Sequence, residues 1–190
     1  MADQEVMLVT GYKPNELGIF SADHPGIRVI RYCLKTQIKD LAGSGTKWIV
    51  ISGQPGVELW AGETCLELKT DFPDLKLAVL VPFIGQEERF RDWVKTQYNH
   101  VLEAADFTGA ISNRPYESPG QLRQKNEFLV SKTDGMVILY DEETPGSPQY
   151  YLSAARKRAR HELYPITAID RYDIDFASEE LKQQNPEYWM

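Results

Sequence analysis

The sequence predicts a three-layer α/β protein: a mostly parallel sheet of about six strands with helices on both faces. Short β-branched and apolar runs alternate along the chain with stretches whose apolar residues recur at three- and four-residue steps. One of these runs, Leu75 to Val81, is apolar almost without interruption, as a strand covered on both faces must be. Six strands joined by five helices leave right-handed crossovers as the connection that packs, so the sheet is parallel and wound on both sides. A length of 190 residues fits one domain with a full core, residues 1–190, carrying a short C-terminal extension from about residue 170.

The elements follow in order. Val6 to Thr10 reads as the first strand, ended by Gly11 and a long loop through His24-Pro25-Gly26. Ile27, Ile30, Leu34, Ile38 and Leu41 mark a helix that Gly43-Ser44-Gly45 stops. Trp48 to Ile51 is the second strand, followed by the tight turn Ser52-Gly53-Gln54-Pro55-Gly56. A second helix, Val57 to Lys69, places Trp60, Ala61, Thr64, Cys65 and Leu68 inward and breaks at Asp71-Phe72-Pro73. After the third strand, Phe90 to Ala105 reads as a helix with a break near Tyr98-Asn99, and Phe107 to Ser112 as a fourth strand. Ser118 and Pro119 are a good N-cap and first-turn pair for a fourth helix, in which Leu122, Asn126 and Leu129 share the inner stripe. Gly135 to Tyr140 is the fifth strand. A fifth helix with Leu152, Ala155 and Ala159 inward leads to a sixth strand at Ile166 to Ile169, and the acidic, aromatic tail holds a short helix from Ser178 to Gln183.

The totals narrow the function classes. With 21 Lys+Arg against 28 Asp+Glu, the formal charge of -7 argues against nucleic acid and anionic membrane as partners. The apolar runs are too short to cross a bilayer, and the N-terminus carries Asp3 and Glu5 where a signal peptide would be basic. Cys33 and Cys65 fall inside helices, which suits reduced thiols and a cytoplasmic protein. The isolated His24, His100 and His161 have no metal-ligand spacing, so no metal site is expected.

In a doubly wound sheet, ligands sit beyond the carboxyl ends of the strands, where strand order reverses. The unusual residues of this chain gather in those loops: Thr10, Gly11, Tyr12 and Lys13 after the first strand; Ser52, Gly53, Gly56 and Glu58 after the second; Arg114 and Tyr116 after the fourth; Asp141 and Ser147 after the fifth. A glycine turn opening a helix aims free N–H groups, backed by the helix dipole, at one point and so seats an anion such as phosphate; the same glycines also serve tight packing alone. Lys13 and Arg114 suit phosphate contacts or plain surface ion pairs. Tyr12 and Tyr116 suit base stacking or covering a sheet edge. Glu58 is a first-turn helix acid, or a group for a ribose hydroxyl, or a general acid/base. Asn126 is a polar residue on an inner stripe that needs a partner, in the protein or in a ligand. Ser52 and Ser147 read as caps or phosphate donors. The run from Arg156 to His161 is the one basic cluster, read as a solvated helix end with nucleic-acid backbone as the alternative.

Four segments in order, TGYKPNELGIF, ISGQPGVELWA, RPYESPGQLRQKNEFLVSKTDG and LYDEETPGSPQYYL, resemble the YpsA family of the SLOG superfamily, from Val9 to about Ile169. The resemblance implies a Rossmann-like domain that binds or senses a small phosphorylated ligand, a nucleotide or a nucleotide-derived molecule related to NAD or ADP-ribose, with contacts at Gly53, Gly56 and Glu58. It also implies a link to cell division, with protein partners there, and a homo-oligomer is a further expectation. Two relatives within the superfamily suggest alternatives. The LOG phosphoribohydrolases cleave an N-glycosidic bond, for which Glu58 is the candidate catalytic carboxylate, but their P-G-G-x-G-T loop is replaced here by Asp141 to Pro148 without the double glycine. The DprA proteins bind single-stranded nucleic acid; SGQPGVELWA is similar to their S-G-x-A-x-G-I-D loop, and Gln124-Lys125-Asn126 stands where they have Arg-Arg-Asn.

Overall fold

The computed structural model describes residues 3–185 and 187. All six strands lie in one sheet, β1 (Val6–Gly11), β2 (Trp48–Ile51), β3 (Lys76–Val81), β4 (Phe107–Ala110), β5 (Gly135–Leu139) and β6 (Ile166–Ile169), in the order β4-β3-β2-β1-β5-β6. Every pairing is parallel, with β1 in the middle: Leu8 sits opposite Val50 of β2 on one side and Met136 of β5 on the other. Strand order therefore reverses beside β1, which makes the ends of β1, β2 and β5 the place for a ligand.

Helices α1 (Pro25–Gly43), α2 (Val57–Leu68), α3 (Asp92–Ala104) and α6 (Arg171–Gln184) form a contact row α6-α1-α2-α3, while α4 (Gly120–Lys132) and α5 (Pro148–Ala159) pack on each other and on β1 and β5. Right-handed crossovers put the two sets on opposite faces. The core lies where the sheet meets the first row: Leu8, Leu34, Ile38, Ile49, Ile51, Leu59, Trp60, Leu68 and Leu77 are all fully buried. Both ends of all six strands fall within two residues of their expected positions, since length and β-branched content define strands well in a parallel sheet.

The differences are local. Short 3₁₀ helices at Pro14–Leu17 and Gln86–Arg89 fill stretches that read as loop. Helix α3 runs unbroken through Tyr98-Asn99 because Tyr98 is buried against the sheet end rather than turned out. Helix α4 opens one residue later than expected, with Pro119 at its N-cap and no side-chain cap. Its inner stripe is also displaced: Gln121, Lys125, Leu129 and Val130 are buried and Leu122 is exposed, so the inward-facing polar residues are Gln121 and Lys125 and not Asn126. In α5 the buried set is Pro148, Tyr151, Leu152 and Ala155, while Ala159 is exposed. Helix α6 is more than twice its expected length because Asp170 and Asp173 form a capping box that starts it at Arg171. Residues 186 and 188–190 of the acidic, aromatic tail lie outside the described residues. Cys33 and Cys65 are buried free thiols; burial pushes them up to about 11 and about 12. No helix among the described residues is long and apolar enough to cross a membrane.

Candidate functional site

At the ends of β1 and β2 a single carboxylate ties three elements together. Glu58, in the first turn of α2, has no exposed surface; it accepts hydrogen bonds from the Ser52 N–H at 2.5 Å, the Ser52 hydroxyl at 2.8 Å and the Thr10 hydroxyl at 2.9 Å. Thr10 is the penultimate residue of β1 and Ser52 follows β2, so the acid clasps both strand ends to the helix. Tyr151 of α5 completes the group from the opposite face of the sheet, its hydroxyl 3.3 Å from Ser52 Oγ. Burial, and then the Glu58 charge, hold that phenol well above its ordinary value.

The glycines of the turn are tight packing points. Gly53 (φ 76°) lies under Tyr98 and Gln86, whose side-chain amide donates to the Ser52 carbonyl at 2.9 Å. At Gly56 (φ 93°) an added Cβ would come within 2.5 Å of the Tyr12 carbonyl oxygen and 3.0 Å of Lys13 Cα, and the next amide, Val57 N–H, already donates to Tyr12 O. The open hollow expected over Gly53 and Gly56 is thus filled by the protein's own atoms, and Gly11 is pressed against Val57 in the same way. What the turn does is bring Lys13 directly against the N-terminus of α2, which has no side-chain cap.

Other candidates separate. Tyr12 is 3 % exposed and does not stack on anything outside: its hydroxyl lies 2.6 Å from the Thr144 carbonyl and accepts the Asp141 N–H at 2.9 Å, pinning the loop after β5. Tyr12→Phe is expected to cost about 1–2 kcal/mol, read as a lowered melting temperature. Asp141 turns its carboxylate to the Glu143 N–H and toward Arg171. Ser147 donates both its N–H and its hydroxyl to Glu16, so the start of α5 is already occupied by an internal carboxylate rather than presented to phosphate. Tyr116 is half-exposed beside Phe83, with ring centroids 5.2 Å apart. Arg114 is exposed, 3.9 Å from Glu117, at the far β4 edge, so it does not join Lys13. Arg114→Ala should leave anion binding unchanged within error in a titration. Asn126 faces an outer groove between α4 and α5, with its Oδ1 buried and without a partner.

The cation that does join the cluster is Lys125 of α4. It is 4 % exposed, and its ammonium stands over the Tyr151 ring, 4.4 Å from the centroid. Burial lowers its value from 10.5 to about 8; the Glu58 carboxylate works against that shift and the Lys13 ammonium adds to it. Among the described residues it has no carboxylate at ion-pair distance. A buried lysine left this way is unusual, because the desolvation of an ammonium is normally offset by a paired acid. The stripe Gln121-Lys125-Leu129 was the signal in the sequence that could have found it; Tyr151 was masked by lying next to Leu152.

A parallel sheet with its reversal beside β1 defines a Rossmann-like domain, with two lysines and a helix N-terminus at its strand ends. The chain belongs to the YpsA family: residues 7–174 match the family described as the YspA SLOG family. It is 49% identical over 176 residues to a UPF0398 protein of Halalkalibacterium halodurans, covering 93% of each chain. It is 45% identical over 176 residues to the UPF0398 protein YpsA of Bacillus subtilis, covering 93% of this chain and 98% of that one. Among solved structures it resembles DNA processing protein A from Helicobacter pylori, described for its single-stranded DNA binding mode, with a TM-score of 0.52 and 15% identity over 95% of this chain and 82% of that one, a likeness of fold.

Proposed function

We propose that this protein binds an anionic, nucleotide-like ligand of the NAD or ADP-ribose kind at the carboxyl ends of β1 and β2, and acts by binding rather than by turnover. The observation that carries the reading is the buried Lys125 ammonium without an acid partner, close enough to the half-buried Lys13 to feel its charge. Two like charges and a positive helix end converge; of the carboxylates nearby, Glu58 already accepts from three donors, and Glu16 from the Lys13 N–H and from Ser147. A phosphate or diphosphate would supply the negative charge at ion-pair distance that Lys125 lacks, and Lys13 carries the site to the surface. The glycosidic-hydrolase reading needs Glu58 as a free acid or base; its full burial, with both oxygens bonded, favours a clasp over that role.

The test is thermal stability against NAD, ADP-ribose, nucleoside monophosphates, inorganic pyrophosphate and an oligonucleotide. A ligand bound only by the folded chain raises the melting temperature by mass action. ADP-ribose or pyrophosphate is expected to do so, and the shift should vanish in Lys13→Ala. No shift with any of them would overturn the reading; a salt-sensitive shift with the oligonucleotide alone would replace it with nucleic-acid binding.

A further inference from the structure

Lys125 is the one lysine buried among the described residues, and the anion site described above uses only its charge. Its amine is also a nucleophile. Lys47, Lys69 and Lys182 are paired with acids, and Lys76 and Lys132 stand over the rings of Trp48 and Phe128 but in the open. Lys125 lies on the inner stripe of α4 between Gln121 and Leu129, with its nitrogen 4.4 Å from the centre of the buried Tyr151 ring and no carboxylate at ion-pair distance. An ammonium set against an aromatic face, without an acid to hold its proton, is the setting in which a lysine reacts as a free amine. Burial brings its value to about 8. At pH 8 about half of the chains then carry a neutral amine there, against fewer than about one in a hundred for an ordinary lysine.

The neighbouring hydroxyls do not compete. Those of Thr10 and Ser52 are held as donors to Glu58, and burial keeps the Tyr151 phenol well above its ordinary value and so protonated. Lys13, half-buried and near enough for its charge to act on Lys125, supplies a second cation beside the amine.

We propose that Lys125 forms a reversible imine with the open-chain aldehyde of a phosphorylated sugar whose phosphate is held beside it by Lys13. This linkage depends on the anion site proposed above, and it narrows the ligand of that site to one with a free carbonyl. ADP-ribose has one in its terminal ribose; NAD, with both anomeric carbons in glycosidic bonds, has none. The ammonium first releases a proton, and Nζ bonds to the aldehyde carbon to give a carbinolamine. The proton then returns to the carbinolamine oxygen, which departs as water while the nitrogen lone pair closes the C=N bond. The product is a protonated imine, so the positive charge over the Tyr151 ring is preserved. Spread over carbon and nitrogen, that charge costs less to keep from water than an ammonium does.

Reductive trapping on the full chain tests it. The protein is incubated at pH 8 with cyanoborohydride and ADP-ribose, ribose 5-phosphate, plain ribose or NAD, then digested and mapped by mass spectrometry. ADP-ribose and ribose 5-phosphate are expected to label Lys125 at least roughly tenfold faster than any other lysine, and excess pyrophosphate should suppress that label. Ribose should label Lys125 no faster than the exposed lysines, and NAD should leave no adduct. Lys125→Arg keeps the charge and should lose the adduct at this position while the exposed lysines are labelled as before. If ADP-ribose raises the melting temperature but its adducts scatter evenly over the lysines, or spare Lys125, the imine is overturned and the anion site stands. With neither a melting shift nor an adduct, both fall. Labelling of Lys125 by ribose as fast as by ribose 5-phosphate, or unchanged by pyrophosphate, would overturn a phosphorylated sugar as its partner.

Discussion

Replacing Glu58 by Ala is expected to destabilise the domain by about 3–5 kcal/mol, the range for removing one member of a buried charged network. For a domain of this size that lowers the melting temperature by roughly 10 °C or more. Three donors lose their acceptor at once: the Ser52 N–H, the Ser52 hydroxyl and the Thr10 hydroxyl, none of which water can reach in the folded chain. The Lys125 ammonium also loses the Glu58 charge that favours its protonated form. Glu58→Gln keeps an acceptor for Ser52 and should recover most of the loss, because the Thr10 hydroxyl can turn to accept from the new amide. Thermal unfolding of both variants decides between a clasp and a reactive group. A carboxylate present for chemistry alone would leave Glu58→Ala as stable as the wild type.

Lys125→Met is expected to act in the opposite direction on stability while removing ligand binding. The folded-state value of about 8 lies below the ordinary 10.5. Below about pH 8 the amine is charged in both folded and unfolded chains, and the folded state carries the full penalty of burying it. As pH rises from about 8 toward 10.5 the folded amine gives up its proton before the unfolded one does, so the unfolded chain holds more protons and this group's penalty is relieved. Methionine of similar length removes the penalty throughout and should stabilise the protein at neutral pH by on the order of 1–2 kcal/mol. The excess stability of the variant should then shrink as pH rises past 8, a difference that denaturant titrations at neutral and alkaline pH would show. Loss of a buried charge-assisted contact should weaken an anionic ligand by about 10- to 100-fold. A stabilised protein that no longer binds separates a ligand-holding residue from one that merely supports the fold.

The fold was legible because parallel strands buried on both faces leave uninterrupted apolar runs, and Leu75 to Val81 shows this most clearly. Helix phase was harder. On α4, Leu122 suggested an inner stripe by its hydrophobicity, yet the neighbouring stripe through Lys125 faces the sheet, because Tyr151 offers the ammonium a ring and Leu122 has the α4–α5 groove to occupy. The start of α6 was written in Asp170 and Asp173, three apart, but acids in a tail read as solvated charge until a helix is seen to need them. At the site, the residue types at the β1 and β2 ends were readable and their partners were not. Tyr12 bonds to a loop more than a hundred residues away, Ser147 to Glu16 over a similar separation, and Glu58 to Thr10 across 48 positions. No local pattern encodes such pairings. Nor could the sequence distinguish Arg114, stranded at the sheet edge, from Lys125, buried at its centre.

Calorimetric titration with ADP-ribose at neutral pH and again near pH 9.5, in buffers of different protonation enthalpy, bears most directly on the buried lysine. The diphosphate has no group that titrates in this interval, so any proton taken up on binding above pH 8 belongs to the protein. The expected result is an affinity that falls as pH passes about 8, with up to one proton captured per ligand at the alkaline pH, both effects absent in Lys125→Met. Binding of equal strength at the two pH values without proton uptake, or undiminished binding by Lys125→Met, would contradict a ligand held by this ammonium.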